Sequence, residues 1–214
     1  MPEQSIGPGT HHVEHLHVAG LLLAAGKGSR LGQPKALVEI AGQTLVARGA
    51  ALLHQGGADP VVVVTGAVSV NLPGVVTVHN PDWETGMGSS LRVGLATLPA
   101  DSQAVVIALV DQPLVGPQSV RRLISAFLDG AGVAVACYDG QPRNPVLIAR
   151  PHWADAAAMA AGDVGARAFL RANSGLVTAV ECGDIGMPDD LDTREDLRRI
   201  AELIRRSEPV ANQG

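Results

Sequence analysis

Three short apolar runs constrain this chain more than any other feature. Val18 to Ala24, Pro60 to Thr65 and Ala104 to Val110 are built almost entirely from Val, Leu, Ile and Ala. Each is far shorter than the roughly 20 residues needed to span a bilayer. A glycine or a carboxylate follows each closely: Gly26, Gly66 and Asp111. Apolar runs of this length without polar alternation read as strands buried on both faces, the pattern of a parallel sheet under helices.

The intervening segments supply those helices. Thr44 to Gln55 has apolar residues at helical spacing and stops at Gly56-Gly57. Gly86 to Leu98 reads as an amphipathic helix with Ser89 or Ser90 as its cap and Pro99 after it. Pro117 to Leu128, Pro151 to Met159, Val164 to Ala172 and Thr193 to Arg206 complete the helices, the last with Asp196 placed for a capping box. Further strands are expected at Val75 to Val78, Val133 to Tyr138, Pro145 to Ala149 and, at an edge, Leu176 to Glu181, with a short extended piece at Ala36 to Ile40. Strands alternating with helices predict a three-layer α/β/α sandwich, Rossmann-like, on a mixed, mostly parallel sheet. The expected organisation is one domain over 18–206, an N-terminal arm over 1–17 and a tail over 207–214. The arm carries His11, His12, His15 and His17, read as solvated rather than metal-binding.

Composition narrows the function. Of 214 residues, 46% are hydrophobic and only 2% aromatic, so aliphatic side chains and glycine must fill the core. A net charge of -5 gives no general attraction to nucleic acid or to an anionic membrane. Cys137 and Cys182 have no CxxC spacing and read as buried thiols of a reducing compartment. The N-terminus lacks the basic-then-apolar order of a secretory signal, so a cytoplasmic location is expected.

Ligands of open α/β sheets bind at the carboxyl ends of strands. After the first run comes Gly26-Lys27-Gly28-Ser29-Arg30-Leu31-Gly32-Gln33-Pro34-Lys35. Its glycines allow backbone N–H groups to approach phosphate oxygens closely. Arg30 offers a bidentate fork and Lys35 a mobile point charge. The loop fits neither common phosphate template. Its glycine spacing is not G-x-G-x-x-G, and Gly32 is followed by Gln33 rather than by Lys. Asp111, after the third run, is a natural Mg²⁺ ligand, because Mg²⁺ takes one or two carboxylates and keeps waters and substrate phosphates. Asp189, Asp190 and Asp192 cluster late in the chain, Asp189 reading as part of a solvated turn. Asp155 and Asp163 read as surface, Met87 as packing, and Trp83 and Trp153 either as packing or as platforms for a flat ligand. No Ser-His-Asp or Cys-His set stands out.

At these residues the chain resembles nucleotidyltransferases. Leu23 to Lys35, LAAGKGSRLGQPK, is similar to their signature loop, and the short spacing from Arg30 to Lys35 resembles the molybdenum cofactor branch. Asp82 to Leu95, Leu109 to Val115, Gly162 to Leu170 and Asp190 to Leu197 resemble four further motifs of that branch, in the same order. Ala25 and Leu114 resemble the cytidylyl rather than the guanylyl members. Three positions depart from the family pattern: Gly28 replaces a frequent Ser, Val110 a Gly, and Arg143-Asn144-Pro145 a Gly-His-Pro.

The resemblance implies transfer of CMP from CTP to the terminal phosphate of molybdopterin with release of pyrophosphate, and a molybdoenzyme as recipient of the product. It implies nucleotide contacts along Leu23, Ala24, Ala25, Gly26, Lys27, Gly28, Ser29 and Arg30, and at Lys35, Gly66, Ser89, Ser90 and Asp111. Catalysis falls to Arg30, Lys35 and Asp111, and Mg²⁺ to Asp111, Asp192 and Asp190. Gln112, Arg143, Asn144 and Arg167 are placed on the acceptor side. Guanylyl transfer, a sugar-phosphate acceptor and a non-catalytic cofactor chaperone stay open beside this reading.

Overall fold

The computed structural model describes residues 17–207. Most of the arm and tail, with His11, His12 and His15, lies outside the described residues. The three apolar runs become β1 (Val18–Leu23), β4 (Val61–Thr65) and β6 (Ala104–Leu109). They lie side by side and parallel in a seven-stranded sheet of order β5-β4-β1-β6-β8-β7-β9. β5 is Val76–His79, β7 Val133–Tyr138, β8 Gln141–Ala149 and β9 Val177–Glu181. Only β8 runs against the rest, paired antiparallel to both β6 and β7. The sheet is thus mixed and mostly parallel, as the sequence predicts. β9 is an edge strand but runs parallel to β7, so the mixing comes from β8 alone.

Helices cover both faces. On one, α1 (Leu45–Gln55), α3 (Pro117–Leu128) and α6 (Arg194–Ser207) enclose a core with Leu22, Val63, Val106, Leu53, Leu123 and Ile200. On the other, α2 (Met87–Thr97), α4 (Trp153–Met159) and α5 (Arg167–Ala172) cover Leu21, Val62, Val105, Leu91 and Phe169. Successive residues of β1 feed opposite cores, which is why an unbroken apolar run was needed there. Trp153 belongs to the second core, its indole N–H donating to the Ile148 carbonyl at 2.9 Å. Both cysteines are buried and free.

Local chemistry explains the ends. Thr44 caps α1, its Oγ1 accepting from the Ala47 amide. Thr193 and Asp196 form the expected capping box: Asp196 Oδ2 accepts from the Thr193 amide at 2.8 Å, and Thr193 Oγ1 accepts from the Asp196 amide at 3.1 Å. The serine cap expected for α2 is not used. Gly86 occupies that position without a side-chain cap, and Ser89 and Ser90 are buried inside the first turn. Their hydroxyls both accept from Asn80 Nδ2, at 2.8 and 3.0 Å. The segment at Ala36 to Ile40 is a 3₁₀ turn over Lys35–Leu37 followed by β2 (Glu39–Ile40), which pairs with β3 (Gln43–Thr44). Among the described residues no helix is long and apolar enough to cross a membrane.

Candidate functional site

The chain leaves β1 for β4 and β5 on one side, then returns to β6 on the other. β1 and β6 therefore flank the point where strand order reverses, the place where open α/β sheets bind ligands. Leu23 and Leu109 are partners at the last rung of that pair. The glycine loop and Asp111 consequently leave the sheet together, and a cleft of about 700 Å³ opens above them.

The loop is anchored at its base and free at its tip. Leu31 and Ala36 are buried in the core, whereas Gly26, Lys27, Ser29 and Arg30 are exposed along the cleft. The amides of Leu31 and Gly32 both donate to the Gly28 carbonyl. Gly28 has φ +62°, and a Cβ there would sit 2.1 Å from the Gln33 carbonyl oxygen. That contact accounts for a glycine at this departure from the family pattern.

Lys35 opens the 3₁₀ turn after Pro34 and points its ammonium between two carboxylates. Its Nζ donates to Asp111 Oδ2 at 2.7 Å and to Asp192 Oδ1 at 2.6 Å. Arg30 reaches the other oxygen of Asp192 at 3.2 Å. Burial works to lower the Lys35 pKa, but the two carboxylates outweigh it and raise it, so Lys35 stays charged. Asp192 is held from both sides. The amide of Leu191, which is fully buried, donates to the Asp111 carbonyl at 2.8 Å, and Thr193 begins the capping box of α6. Asp111 does not cap α3, whose N-cap is Gly116.

One oxygen stands out. Asp111 Oδ1 is buried and has no hydrogen-bond partner. An orphan carboxylate oxygen beside a second carboxylate is the donor chemistry that a hard divalent cation takes. Asp190 does not complete a trio. Among the described residues no three His, Cys, Asp or Glu side chains gather into a metal-holding group. Asp190 Oδ1 instead accepts from Gln112 Nε2 at 2.9 Å. Loss of hydration raises its pKa, and the charges of Asp111 and Asp192 add to the rise against the Gln112 hydrogen bond.

Other expected residues divide clearly. Leu23, Ala25 and Ser90 line the cleft, whereas Ala24 and Ser89 face the interior. Gly66 is not on the cleft surface but shapes it: a Cβ there would lie 2.5 Å from Trp83 Cβ. Its bareness lets Trp83 pack down and form part of the cleft. Gln112 is buried behind Asp190, and Arg143, Asn144 and Arg167 do not line this cleft.

The far side of the cleft holds residues that sequence reasoning passed over. Glu84, Gly86, Met87 and Asp163 line it together with Trp83. Asp163, expected as plain surface, arrives there because the turn at Gly162–Val164 packs against the start of α2. A Cβ on Gly86, which has φ +109°, would lie 2.4 Å from the Gly162 carbonyl carbon. Gly88 is also closely packed, a Cβ there lying 2.7 Å from the Ala160 carbonyl carbon and the Ala161 amide nitrogen, and Arg92 donates to the Ala160 carbonyl. The spacing Gly86-Met87-Gly88 before two serines was the available signal for this contact.

A phosphate-compatible glycine loop, a cation bridging two carboxylates and a cleft at the reversal of strand order agree with the comparisons to known proteins. The family profile described as MobA-like NTP transferase domain matches residues 20–177. The nicotine blue oxidoreductase of Paenarthrobacter nicotinovorans is 38% identical over 86% of this chain and 96% of its own length. The molybdenum cofactor guanylyltransferase of Rhodobacter capsulatus is 27% identical over 91% of this chain and all of its own. The crystal structure of Rv0371c from Mycobacterium tuberculosis superposes with a TM-score of 0.76 at 29% identity, over 87% of this chain and 98% of that one. Its manganese complex gives 0.72 at 27% identity. Sequence motifs, sheet order and these similarities converge, and the chain is a member of the MobA-like NTP transferase family of nucleotidyltransferases.

Proposed function

We propose that this chain transfers CMP from CTP to the terminal phosphate of molybdopterin and releases pyrophosphate. The observation that carries the reading is the Lys35–Asp111–Asp192 cluster at the foot of the glycine loop. The reaction forms a bond from an acceptor phosphate oxygen to the α-phosphorus of the nucleotide. It breaks the bond from that phosphorus to the oxygen leading to the β-phosphate. Positioning and charge stabilisation are what the protein has to supply.

In this reading the backbone from Gly26 to Ser29 holds the triphosphate, and Arg30 and Lys35 neutralise charge on the α-phosphate and on the leaving pyrophosphate. Asp111, with its unpartnered carboxylate oxygen, and Asp192 would hold Mg²⁺, while Asp190 is hydrogen-bonded to Gln112. The cation would neutralise phosphate charge and orient the triphosphate. Leu23, Ala25, Trp83, Met87 and Ser90 border the base and ribose. The resemblance puts Arg143, Asn144 and Arg167 on the acceptor side, outside the lining of the cleft itself.

Support for the acceptor comes from the molybdenum cofactor guanylyltransferases among the relatives. Support for cytidine comes from Ala25 and Leu114, which follow the cytidylyl pattern. Guanylyl transfer is the second reading, favoured by those relatives' names. The oxidoreductase name of the 38% identical relative raises a third. Against it stands the loop, whose glycines do not follow the dinucleotide fingerprint.

A pyrophosphate-release screen of CTP, GTP, ATP and UTP against molybdopterin and common sugar phosphates tests all of these. The expected result is release with CTP and molybdopterin. Release with GTP replaces the nucleotide assignment, and release with a sugar phosphate replaces the acceptor. No release with any pair, together with oxidation of a nicotinamide cofactor, overturns the reading.

A further inference from the structure

Four carboxylate oxygens meet at the foot of the glycine loop, and cationic side chains claim three of them. Lys35 takes Asp111 Oδ2 and Asp192 Oδ1, and Arg30 takes Asp192 Oδ2. Only Asp111 Oδ1 is unclaimed. A divalent cation that prefers a full shell of oxygens would find one ready ligand and an ammonium lodged between the others. Both displacing cations belong to the loop that lines the nucleotide cleft. Phosphate is a ligand that Lys and Arg bind as well as carboxylate.

We propose that Lys35 and the metal compete for the Asp111 and Asp192 oxygens, so that the chain takes up metal together with a nucleotide whose phosphates draw Lys35 and Arg30 away. The inference rests on the nucleotidyl-transfer reading above and adds an order of binding to it. Lys35 then has two partners in turn: the carboxylates first, the phosphates afterwards. The carboxylates are kept paired until the triphosphate is present. By reciprocity, metal and nucleotide must each raise the other's affinity by the same factor.

Direct metal binding tests this. Protein-bound Mn²⁺ is followed by water-proton relaxation enhancement, with and without a non-hydrolysable CTP or GTP analogue. In the wild-type chain Mn²⁺ alone is expected to bind weakly, and nucleotide to tighten it by ~10-fold or more. Lys35→Gln is expected to bind Mn²⁺ alone ~10-fold more tightly than wild type, with a smaller further gain from nucleotide. Arg30→Gln alters an exposed side chain and leaves the half-buried Lys35 bridge in place. It should give the same change in smaller measure, and it carries the test if Lys35→Gln does not fold. Asp192→Asn added to Lys35→Gln should remove the gain. If nucleotide tightens Mn²⁺ in the wild type but neither variant binds Mn²⁺ alone more tightly, the competition is wrong and the nucleotidyl-transfer reading stands. If nucleotide leaves Mn²⁺ affinity unchanged in every form, that reading falls as well.

Discussion

Gly26 and Gly86 border the same cleft and do opposite things. A Cβ added at Gly26 would meet nothing within 4 Å, whereas one at Gly86 would press into the Gly162 carbonyl carbon at 2.4 Å. At Gly26 and Gly32 the loop is open backbone with cations at its margin, and only Gly28 is closed, against the Gln33 carbonyl within the loop itself. The α2 side is closed backbone, sealed by glycines against the turn at Gly162–Val164. On the loop side, charge dominates: an exposed Arg30, a half-buried Lys35 and their carboxylate partners. On the α2 side, shape does the work, and polar residues such as Ser89 are spent on internal hydrogen bonds.

That contrast predicts where mutations will act. The largest effect belongs to Asp111, which partners Lys35 and presents the orphan oxygen. Asp111→Ala is expected to lower nucleotidyl transfer by at least about 10³-fold, roughly 4 kcal/mol in the transition state, with an unchanged circular dichroism spectrum. Near-normal turnover would break the assignment of chemistry to the loop side. Lys35→Ala comes next, at about 2 to 4 kcal/mol in kcat/KM. A rise in KM alone would reduce Lys35 to a binding contact.

The same contrast explains what the sequence disclosed. The three apolar runs, the helices between them and the carboxyl-end loops were legible because burial on both faces leaves no polar alternation. Lys35, Asp111 and Asp192 were legible as charges beside strand ends or in recurring motifs. Asp163 was not, because its place on the cleft depends on a Gly86–Gly162 contact between segments far apart in the chain. Ser89 and Ser90 misled for a related reason. A serine near a helix start reads as a cap, but Asn80, brought in after β5, claims both hydroxyls. Gly66 was identified as a site residue for its position, while its physical role is to make room for Trp83.

Gly86→Ala sharpens the comparison from the other side. A side chain at φ +109° that also meets the Gly162 backbone should destabilise the fold by about 1 to 3 kcal/mol. Gly26→Ala should stay within about 0.5 kcal/mol of wild type while weakening nucleotide binding. Chemical denaturation and nucleotide titration of the two variants check this together. Equal stability losses would mean that the two sides of the cleft are not built differently.

The smallest effect concerns the segment that carries Asp192 to Lys35. Thr193→Ala removes half of the capping box and should cost about 1 kcal/mol of stability at neutral pH. Its pH dependence gives a finer test. Hydrogen bonds from the Thr193 side chain and then its amide lower the Asp196 pKa, with the Asp192 amide and Arg199 adding to the shift. A carboxylate whose pKa is depressed in the folded state stabilises the fold above its unfolded pKa of roughly 3.9 and loses that contribution as pH falls through the lower folded value. Thermal melts of wild type and Thr193→Ala should therefore differ most at neutral pH, and the gap should narrow as the solution is acidified below about pH 4, leaving the part carried by the Asp196 amide. A gap that persisted unchanged into acid would mean that the Thr193 hydroxyl stabilises α6 through the Asp196 amide alone. Asp192 would then owe its position to the Leu191 anchor on Asp111, with the carboxylate of the capping box contributing nothing.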